Sequence, residues 1–547
     1  MAYEKALTSL GRERERLRDF SMRAALEDDP QRVQRYALEG AGLFADFSRH
    51  RIDDQVLAQL EAYGRVRGMA QALDDLQAGR VVNASEHQAA HHLALRDLSA
   101  MTADVEARAQ VVRQRQAMFR LLEDLRQGQR RGARGARIDT LINIGVGGSD
   151  LGAAMAVEAL RRFDTGDFKV HFISSIDGVA VRELLPRLDF DRCLFIMASK
   201  SFTTIDAWAN LQRIREAMRA AGYQDSEMAQ HLAGISAHPE RMQAAGIPEP
   251  LQLHILPTIG GRFSIASSMG LVLAASLGEQ GYMRFLAGMH AMDRHVLHHA
   301  ERSLAGRMAL LSWWYVEFWQ AQAHAVLPYH QSLQHFPKYL TQLEMESLGK
   351  SCDPQGQAIA HAGQVILGDV GSNAQHAFMQ LLHQGTHCIP ADIIACARMP
   401  EAHAHQADLN LANALAQGRA LAFGYSLEEA RREFPHESAA CWQCRVHPGN
   451  RPSTTLLLPE LTPESLGALI ALYEHKTFLQ AQLWGVNPFD QMGVELGKRL
   501  AKPLVGMLAG EASMTTLDAS TRTLLEHIIC RRRAGDAPRD KDFKVGL

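Results

Sequence analysis

The chain has 547 residues, of which 46% are hydrophobic, and its 58 Lys and Arg against 61 Asp and Glu give a net charge of −3. This near-neutral balance disfavours a nucleic-acid-binding or membrane-surface protein, because both classes show a basic excess. The length predicts two or more domains, since single cores stop growing near about 250–300 residues. Seven cysteines disfavour a disulfide framework. We find neither a secretory signal nor an apolar run near the ~18–20 residues of a membrane span, so we expect a soluble cytoplasmic protein.

Residues 1–135 are predicted to be helical, because Ala, Leu, Arg, Glu and Gln dominate and apolar residues recur at helical spacing. The Gly/Arg-rich segment 127–135 is typical of a domain boundary. Beyond it, short apolar runs alternate with helical patterns, which predicts α/β units with parallel sheets covered on both faces. Strands are predicted at 141–146, 171–176, 194–198, 365–367, 386–395 and 454–458. Helices are predicted at 153–162, from 203, and at 282–325, 375–384, 411–423 and 464–483, the Met- and Trp-rich 282–325 as core packing.

Two turns follow predicted strands and carry phosphate-binding groups. Gly145–Gly152 joins a strand to a helix, where glycines allow close approach, the helix N-terminus favours an anion, and Ser149 adds a hydroxyl. It is not a P-loop, because no Gly-Lys-Ser/Thr follows. Ser199–Thr204 holds four hydroxyls in six residues. An ordinary helix cap would explain either turn alone, but two at the carboxyl ends of strands in one sheet indicate a ligand site.

Several side chains suit proton transfer, although each has a plainer structural explanation. Gln342 and Glu346 are four residues apart and would share a helix face, and Arg262 follows two glycines. His376 is predicted to lie at the start of a helix. Gln491 and Lys498, seven apart, would face the same side of another helix. Surface ion pairs and ordinary amphipathic helices account for each of these patterns singly.

Taken together, the segments resemble the glucose-6-phosphate isomerase (phosphoglucose isomerase) family. The matching motifs run in order from about residue 83 to 502. They lie at 144–152, 171–178 (HFISSIDG), 198–204, 260–264, 345–350, 375–386, 449–454 (GNRPST), 467–476 (GALIALYEHK) and 489–502.

The resemblance implies an α/β fold with two sugar-isomerase-type (SIS) three-layer α/β/α domains and parallel sheets. A helical N-terminal region (1–135) would pack on the second domain (281–510), with the first domain at 136–280 and a C-terminal extension at 511–547. It also implies a homodimer and reversible isomerisation of glucose 6-phosphate and fructose 6-phosphate through a cis-enediol, in glycolysis and gluconeogenesis, without metal or cofactor.

Residue roles are likewise implied by motif position. The resemblance assigns phosphate contacts to Ser149, Ser199, Ser201 and Thr204, sugar contacts to Gly148, Lys200 and Gln342, and a place near the phosphate to Gln491. Glu346 would be the base, and Arg262 would steady the intermediate. His376 and Lys498 would serve ring opening, with His376 supplied by the partner subunit.

The chain departs from the family pattern at five positions, and none of these departures removes a supposed catalytic side chain. Ser201 replaces the usual threonine, Asp206 a glutamate, Leu348 an asparagine and Ala374 a glycine. Gln88 replaces an arginine of an early helix that is predicted here at 86–96. We therefore expect altered rate or affinity rather than lost activity.

Alternative functions remain. A related isomerase that also accepts mannose 6-phosphate would share these motifs, and a non-enzymatic phosphosugar sensor would keep the hydroxyl turns without needing a base. The isomerase half of a glutamine-dependent aminotransferase would need an N-terminal cysteine, which this chain lacks. A metal site at Cys441, Cys444 and His447 is disfavoured, because one CxxC without a second pair is a weak signal.

Overall fold

The computed structural model describes residues 2–534. The chain forms two compact units, one ending at Phe489 and one beginning at Asp490. None of the described helices is both long enough and apolar enough to span a bilayer. The predicted C-terminal extension (511–547) contains a described helix that ends at Ala534, and residues 535–547 lie outside the described part of the chain.

The N-terminal region is mostly helical but also contains a β-hairpin that the sequence reading missed. Its strands are β1 (Ala37–Gly40) and β2 (Leu43–Asp46), paired antiparallel. Its helices are α1 (Ala2–Arg16), α2 (Met22–Glu27), α3 (Arg32–Tyr36), α4 (Asp54–Val66), α5 (Met69–Gln77) and α6 (Val105–Arg126). The early helix expected at 86–96 is wrong, because only a 3-10 turn at Ala94–Arg96 forms there.

The first sheet contains five parallel strands in the order β4-β3-β5-β6-β7. They are β3 (Thr140–Ile144), β4 (Lys169–Ile173), β5 (Cys193–Ala198), β6 (Leu232–Ser236) and β7 (Gln252–His254). All six residues of β5 are buried, as the continuous apolar run required. Its helices are α7 (Leu151–Ala159), α8 (Val179–Leu184), α9 (Ile205–Ala220), α10 (Asp225–Met228) and α11 (Pro239–Ala244).

The second sheet has six strands in the order β1-β2-β11-β10-β8-β9. The hairpin joins it antiparallel through β2 and β11, while its other pairs are parallel. The later strands are β8 (Ala323–Pro328), β9 (Val365–Gly368), β10 (Ala391–Arg398) and β11 (Ser453–Glu460). The helical prediction for 282–325 is wrong at its end, where β8 begins.

Two long helices, α12 (Leu271–His299) and α13 (Leu304–Trp319), connect the sheets in sequence. The helices that follow are α14 (Phe336–Leu340), α15 (Gly371–Gln375), α16 (Met379–Gln384), α17 (Ala404–Phe423), α18 (Leu427–Glu433), α19 (Ala439–Arg445) and α20 (Pro463–Trp484). Nearly every residue of α20 is buried. It packs along α12 and α13 and also contacts β2 and β11, while α12 contacts α7 and β4, so this helix pair links the two sheets.

The second compact unit is helical. Its described helices are α21 (Glu495–Ala509) and α22 (Ala519–Ala534), and a 3-10 turn at Met492–Val494 precedes α21. The domain boundaries at 135, 280 and 510 stay a prediction.

Candidate active site

The two predicted phosphate turns lie side by side. The 3-10 turn Gly147–Ser149 follows β3, and the loop Ser199–Thr204 follows β5. Strands β3 and β5 are parallel neighbours, with Ile144 paired to Met197, so both turns emerge from the same edge of the first sheet. This is the edge at which open α/β sheets bind ligands.

The glycine turn is held against the loop that carries Arg262. A Cβ atom on Gly148 would lie 2.1 Å from the carbonyl carbon of Gly261 and 2.6 Å from the nitrogen of Arg262. The Ser264 Oγ donates to the Gly261 carbonyl at 2.6 Å and lies 3.3 Å from that of Gly148. Only glycine permits this approach, so the motif glycines fix where the arginine sits.

The hydroxyl loop has a backbone conformation that its own side chains and neighbours stabilise. Phe202, buried, has a φ of +55°, which is strained for a residue other than glycine. Its N–H donates to the Ser199 Oγ at 3.1 Å, and its carbonyl accepts from the Trp208 indole at 2.8 Å. The Ser199 and Thr204 hydroxyls are 2.9 Å apart, and Ser201 bonds to Thr203 at 2.8 Å. The loop therefore presents a fixed cluster of hydroxyls.

The carboxylate of Glu346 is held by an arginine and an amide. Arg262 is 3% exposed, and its Nη1 lies 3.3 Å from the Glu346 Oε2. The Nε of Arg262 donates to the Ser347 Oγ at 2.7 Å, and its Nη2 donates to the Pro488 carbonyl. The Gln342 Nε2 donates to the same Glu346 oxygen at 3.0 Å. The Glu346 side chain remains 23% exposed, so its fixed carboxylate is open to a ligand.

Gln342 and Glu346 belong to a π-helical turn, Thr341–Glu346, rather than to an ordinary α-helix. Such turns occur often at functional sites. The prediction that these two side chains share one face of a helix is confirmed by their hydrogen bond, whereas the π-helical type was not predicted. The Lys350 Nζ also donates to the backbone carbonyl of Glu346 at 2.9 Å and closes the turn.

Lys200 adds a cation to the hydroxyl loop Ser199–Thr204. Burial lowers the pKa of its ammonium, repulsion from Arg262 lowers it further, and Glu86 opposes the shift. One edge of the first sheet, the loop that carries Arg262 and the π turn together contribute a glycine turn, hydroxyls, two cations and a carboxylate.

The three remaining predicted residues, His376, Gln491 and Lys498, lie on other elements of the chain. His376 is exposed and follows α15 at its C-terminal end, so its placement at a helix start is wrong. No side-chain hydrogen bond or ion pair of His376 occurs within residues 2–534. Gln491 and Lys498 belong to the second unit. Gln491 precedes the 3-10 turn and Lys498 lies in α21, so they do not share a helix face as predicted; Lys498 pairs with Glu495 at 2.8 Å.

Sequence reasoning missed several supporting groups. Gly261 touches the glycine turn, Ser347 orients the arginine, and the Pro488 carbonyl accepts from it. The two consecutive glycines before Arg262 were the sequence signal from which the close approach of Gly261 could have been predicted. Leu348, a departure from the family pattern, is fully buried in the hydrophobic core, so an apolar side chain suits its surroundings. Among residues 2–534, no cluster of three or more His, Cys, Asp and Glu side chains could hold a metal.

Two mainly parallel sheets with their helices, and glycine and hydroxyl turns beside an arginine-held carboxylate, define an α/β protein whose exposed groups suit a small anion. The family model described as phosphoglucose isomerase matches residues 46–525. The chain therefore belongs to the phosphoglucose isomerase family.

Individual relatives agree. The chain is 41% identical over 531 residues to the glucose-6-phosphate isomerase of Deinococcus deserti, covering 95% of this chain and 97% of that one. It is also 41% identical to the glucose-6-phosphate isomerase of Psychrobacter cryohalolentis, covering 93% and 94%. Among solved structures, a glucose-6-phosphate isomerase from Chlamydia trachomatis matches with a TM-score of 0.83 at 28% identity, covering 96% and 98%.

Proposed function

We propose that the protein interconverts glucose 6-phosphate and fructose 6-phosphate, with Glu346 moving a proton between C1 and C2. The reaction follows from membership of the phosphoglucose isomerase family and from relatives named glucose-6-phosphate isomerase, which align with this chain over almost their whole length. The observation that carries the assignment of Glu346 is its carboxylate, fixed by Arg262 and Gln342 yet open to solvent.

The substrate phosphate is the handle that aligns the sugar. The hydroxyls of Ser149, Ser199, Ser201 and Thr204, with nearby backbone N–H groups, suit a dianion of about −1.5 to −2 charge. Lys200 adds positive charge at the same edge, and Gly148 lets the sugar approach the backbone. Binding energy at this distant end is converted into alignment at the reacting carbons.

At the reacting end, one carboxylate can take a proton from one carbon and return it to the next through a cis-enediol. Such a base must be ionised near neutral pH and lie within hydrogen-bond reach of the carbon acid. Arg262 carries a charge that does not titrate, so it stabilises the developing oxyanion. His376 and Lys498 open the sugar ring, and His376 comes from a second copy of the chain in a homodimer. The exposed position of His376 supports this last assignment.

Glu346→Gln keeps the shape and the hydrogen bond to Gln342 but removes the base. We expect a coupled assay of fructose 6-phosphate conversion, run in EDTA, to show at least a ~10³-fold loss of kcat, while phosphosugar binding measured by calorimetry is retained. Substantial residual turnover would remove Glu346 from this role. Loss of wild-type activity in EDTA would instead point to a metal, and parallel assays with mannose 6-phosphate would reveal a wider substrate range.

A further inference from the structure

Four consecutive residues of α20 are buried and polar, and each bonds to a different element. Tyr473, Glu474, His475 and Lys476 are all at most 1% exposed. Consecutive residues of an α-helix are rotated by about 100°, so the four side chains point in all directions around the helix. Their partners are Asp392 of β10 at 2.8 Å, Arg96 of the early 3-10 turn, Asp293 of α12 at 2.7 Å, and Glu344 of the π turn at 2.8 and 2.9 Å, respectively.

The pair of Lys476 and Glu344 is the only one of these four contacts that reaches the π turn. Both side chains are almost completely buried, at 1% and 2% exposure, and the ammonium bonds to both carboxylate oxygens. Removing one partner from such a pair leaves an uncompensated buried charge, which is strongly unfavourable. Glu344 therefore has one stable position, and that position is set by α20.

Glu344 lies two residues from both Gln342 and Glu346 in the same turn. Side chains two apart on a helical backbone point to nearly opposite sides, whereas those four apart share a side. Lys476 therefore binds the side of the turn that carries Glu344. Gln342 and Glu346 lie on the opposite side, where Arg262 contacts the Glu346 carboxylate.

We propose that Lys476 is a positioning residue for the isomerisation: through Glu344 it fixes the π turn, and thereby the place of the Glu346 carboxylate relative to the sugar. This inference rests on the proposed role of Glu346 as base. Lys476 does not touch the reacting atoms; its effect is geometric. A displacement of about 1 Å at a reacting group can cost ~10²-fold in rate, so a loosened turn lowers kcat while the phosphate turns keep binding the substrate.

The test compares Lys476→Met, Glu344→Gln and the double variant Lys476→Met/Glu344→Gln. The single change at Lys476 leaves a lone buried carboxylate and lowers Tm. The double variant buries no lone charge, so we expect its Tm to recover toward that of the wild type. Its kcat stays at least ~10-fold low, with KM for fructose 6-phosphate within about twofold, because the turn is no longer fixed. Lys476→Arg, which retains an ion pair, restores part of kcat.

Tyr473→Phe is the matched control. It removes a buried hydrogen bond made by a residue three positions before Lys476 in α20, to Asp392 rather than to the π turn, so Tm falls while kcat stays unchanged. A double variant with wild-type kcat would overturn the inference, as would an equal loss of kcat in Tyr473→Phe. If Glu346→Gln remains active, the base assignment fails. If Glu346→Gln is inactive but the double variant turns over normally, only the positioning role fails.

Discussion

At the scale of single residues, Arg262 has the most constrained side chain of the candidate site. It is 3% exposed, and its three nitrogens point to Ser347, Glu346 and the Pro488 carbonyl. A planar guanidinium can hold three acceptors in one orientation, whereas an ammonium is a point charge on a flexible stem. The geometry of this residue, and not its charge alone, therefore fixes where its positive charge lies relative to the Glu346 carboxylate.

Arg262→Lys should keep the positive charge but lose the planar guanidinium, which contacts three acceptors in one orientation. We expect kcat to fall by ~10²–10³, the range for losing one preorganised stabiliser of an oxyanion, with a much smaller change in KM. Steady-state kinetics would measure both.

Arg32→Lys is the control for this change. Arg32 is also buried and donates to three acceptors, the carbonyls of Ser48, His50 and Ile52, but it has no contact with the candidate site residues. The Arg32→Lys variant should have a lower Tm and an unaltered kcat. A kcat for Arg262→Lys near that of the wild type would show that the charge alone suffices.

At the scale of elements, the start of α7 carries a carboxyl group in an unfavourable place. Asp150 follows the glycine turn, is 7% exposed, and makes no side-chain cap to its helix. Burial raises its pKa from 3.8 to about 6, although Lys338 and a hydrogen bond from Ser174 oppose the shift. The folded protein therefore holds a proton here between about pH 4 and 6 that the unfolded chain has released, and folding stability falls as the pH rises through that window.

Asp150→Asn should remove this cost. Two pKa units correspond to about 2–3 kcal/mol, so the free energy of unfolding should rise by up to that amount at pH 7.5 and by much less near pH 4. Denaturant titrations at the two pH values would measure it. A gain independent of pH would contradict the assignment.

Asp97→Asn should change stability in the opposite direction, because the pKa of Asp97 is lowered in the folded protein. The Asp97 carboxylate accepts hydrogen bonds from the Met101 and Thr102 N–H groups and the Thr102 hydroxyl, and its pKa is lowered despite partial burial. Its contribution is present at neutral pH and is lost as the pH falls through the folded pKa. This variant should therefore be destabilised at pH 7.5, with a smaller effect in acid.

At the scale of the whole molecule, the candidate site draws on segments far apart in sequence. The first sheet supplies the two turns after β3 and β5, the loop before α12 supplies Arg262, and the π turn after α14 supplies Gln342 and Glu346. The buried pair α12 and α20 links the sheets that present these segments. The proposed dimer adds His376 from a second copy.

Mixing two inactive variants tests that dimer. If His376 acts across the interface, a heterodimer of Glu346→Gln and His376→Ala chains contains one site with both defects and one intact site. Random exchange in a twofold dimer should then restore about a quarter of wild-type activity. Refolding the variants together and separately would measure the recovery. Activity in the mixture no greater than the mean of the separate preparations would place His376 in the same chain as Glu346, or rule out the dimer.

The local patterns predicted much of the architecture. The strands β3, β4, β5, β9, β10 and β11 were anticipated within a few residues, because continuous apolar runs and turn residues mark buried parallel strands. The hairpin β1–β2 was missed because it lies in a region of helical composition, and β8 because the Ala-, Gln- and His-containing residues 320–325 continue the helical composition of α13. Short runs of this kind cannot be assigned by periodicity alone.

The sequence by itself determined the family, the two glycine- and hydroxyl-rich turns and the pairing of Gln342 with Glu346, since these depend on residue type at short spacing. Tertiary structure decided that Arg262 meets Glu346, that Gly148 touches Gly261 and that Lys476 reaches Glu344. These contacts join residues up to 132 positions apart, and no local pattern encodes which buried charge will find which partner. Burial makes that choice, because a charge removed from water is stable only where the fold brings a complementary group to it.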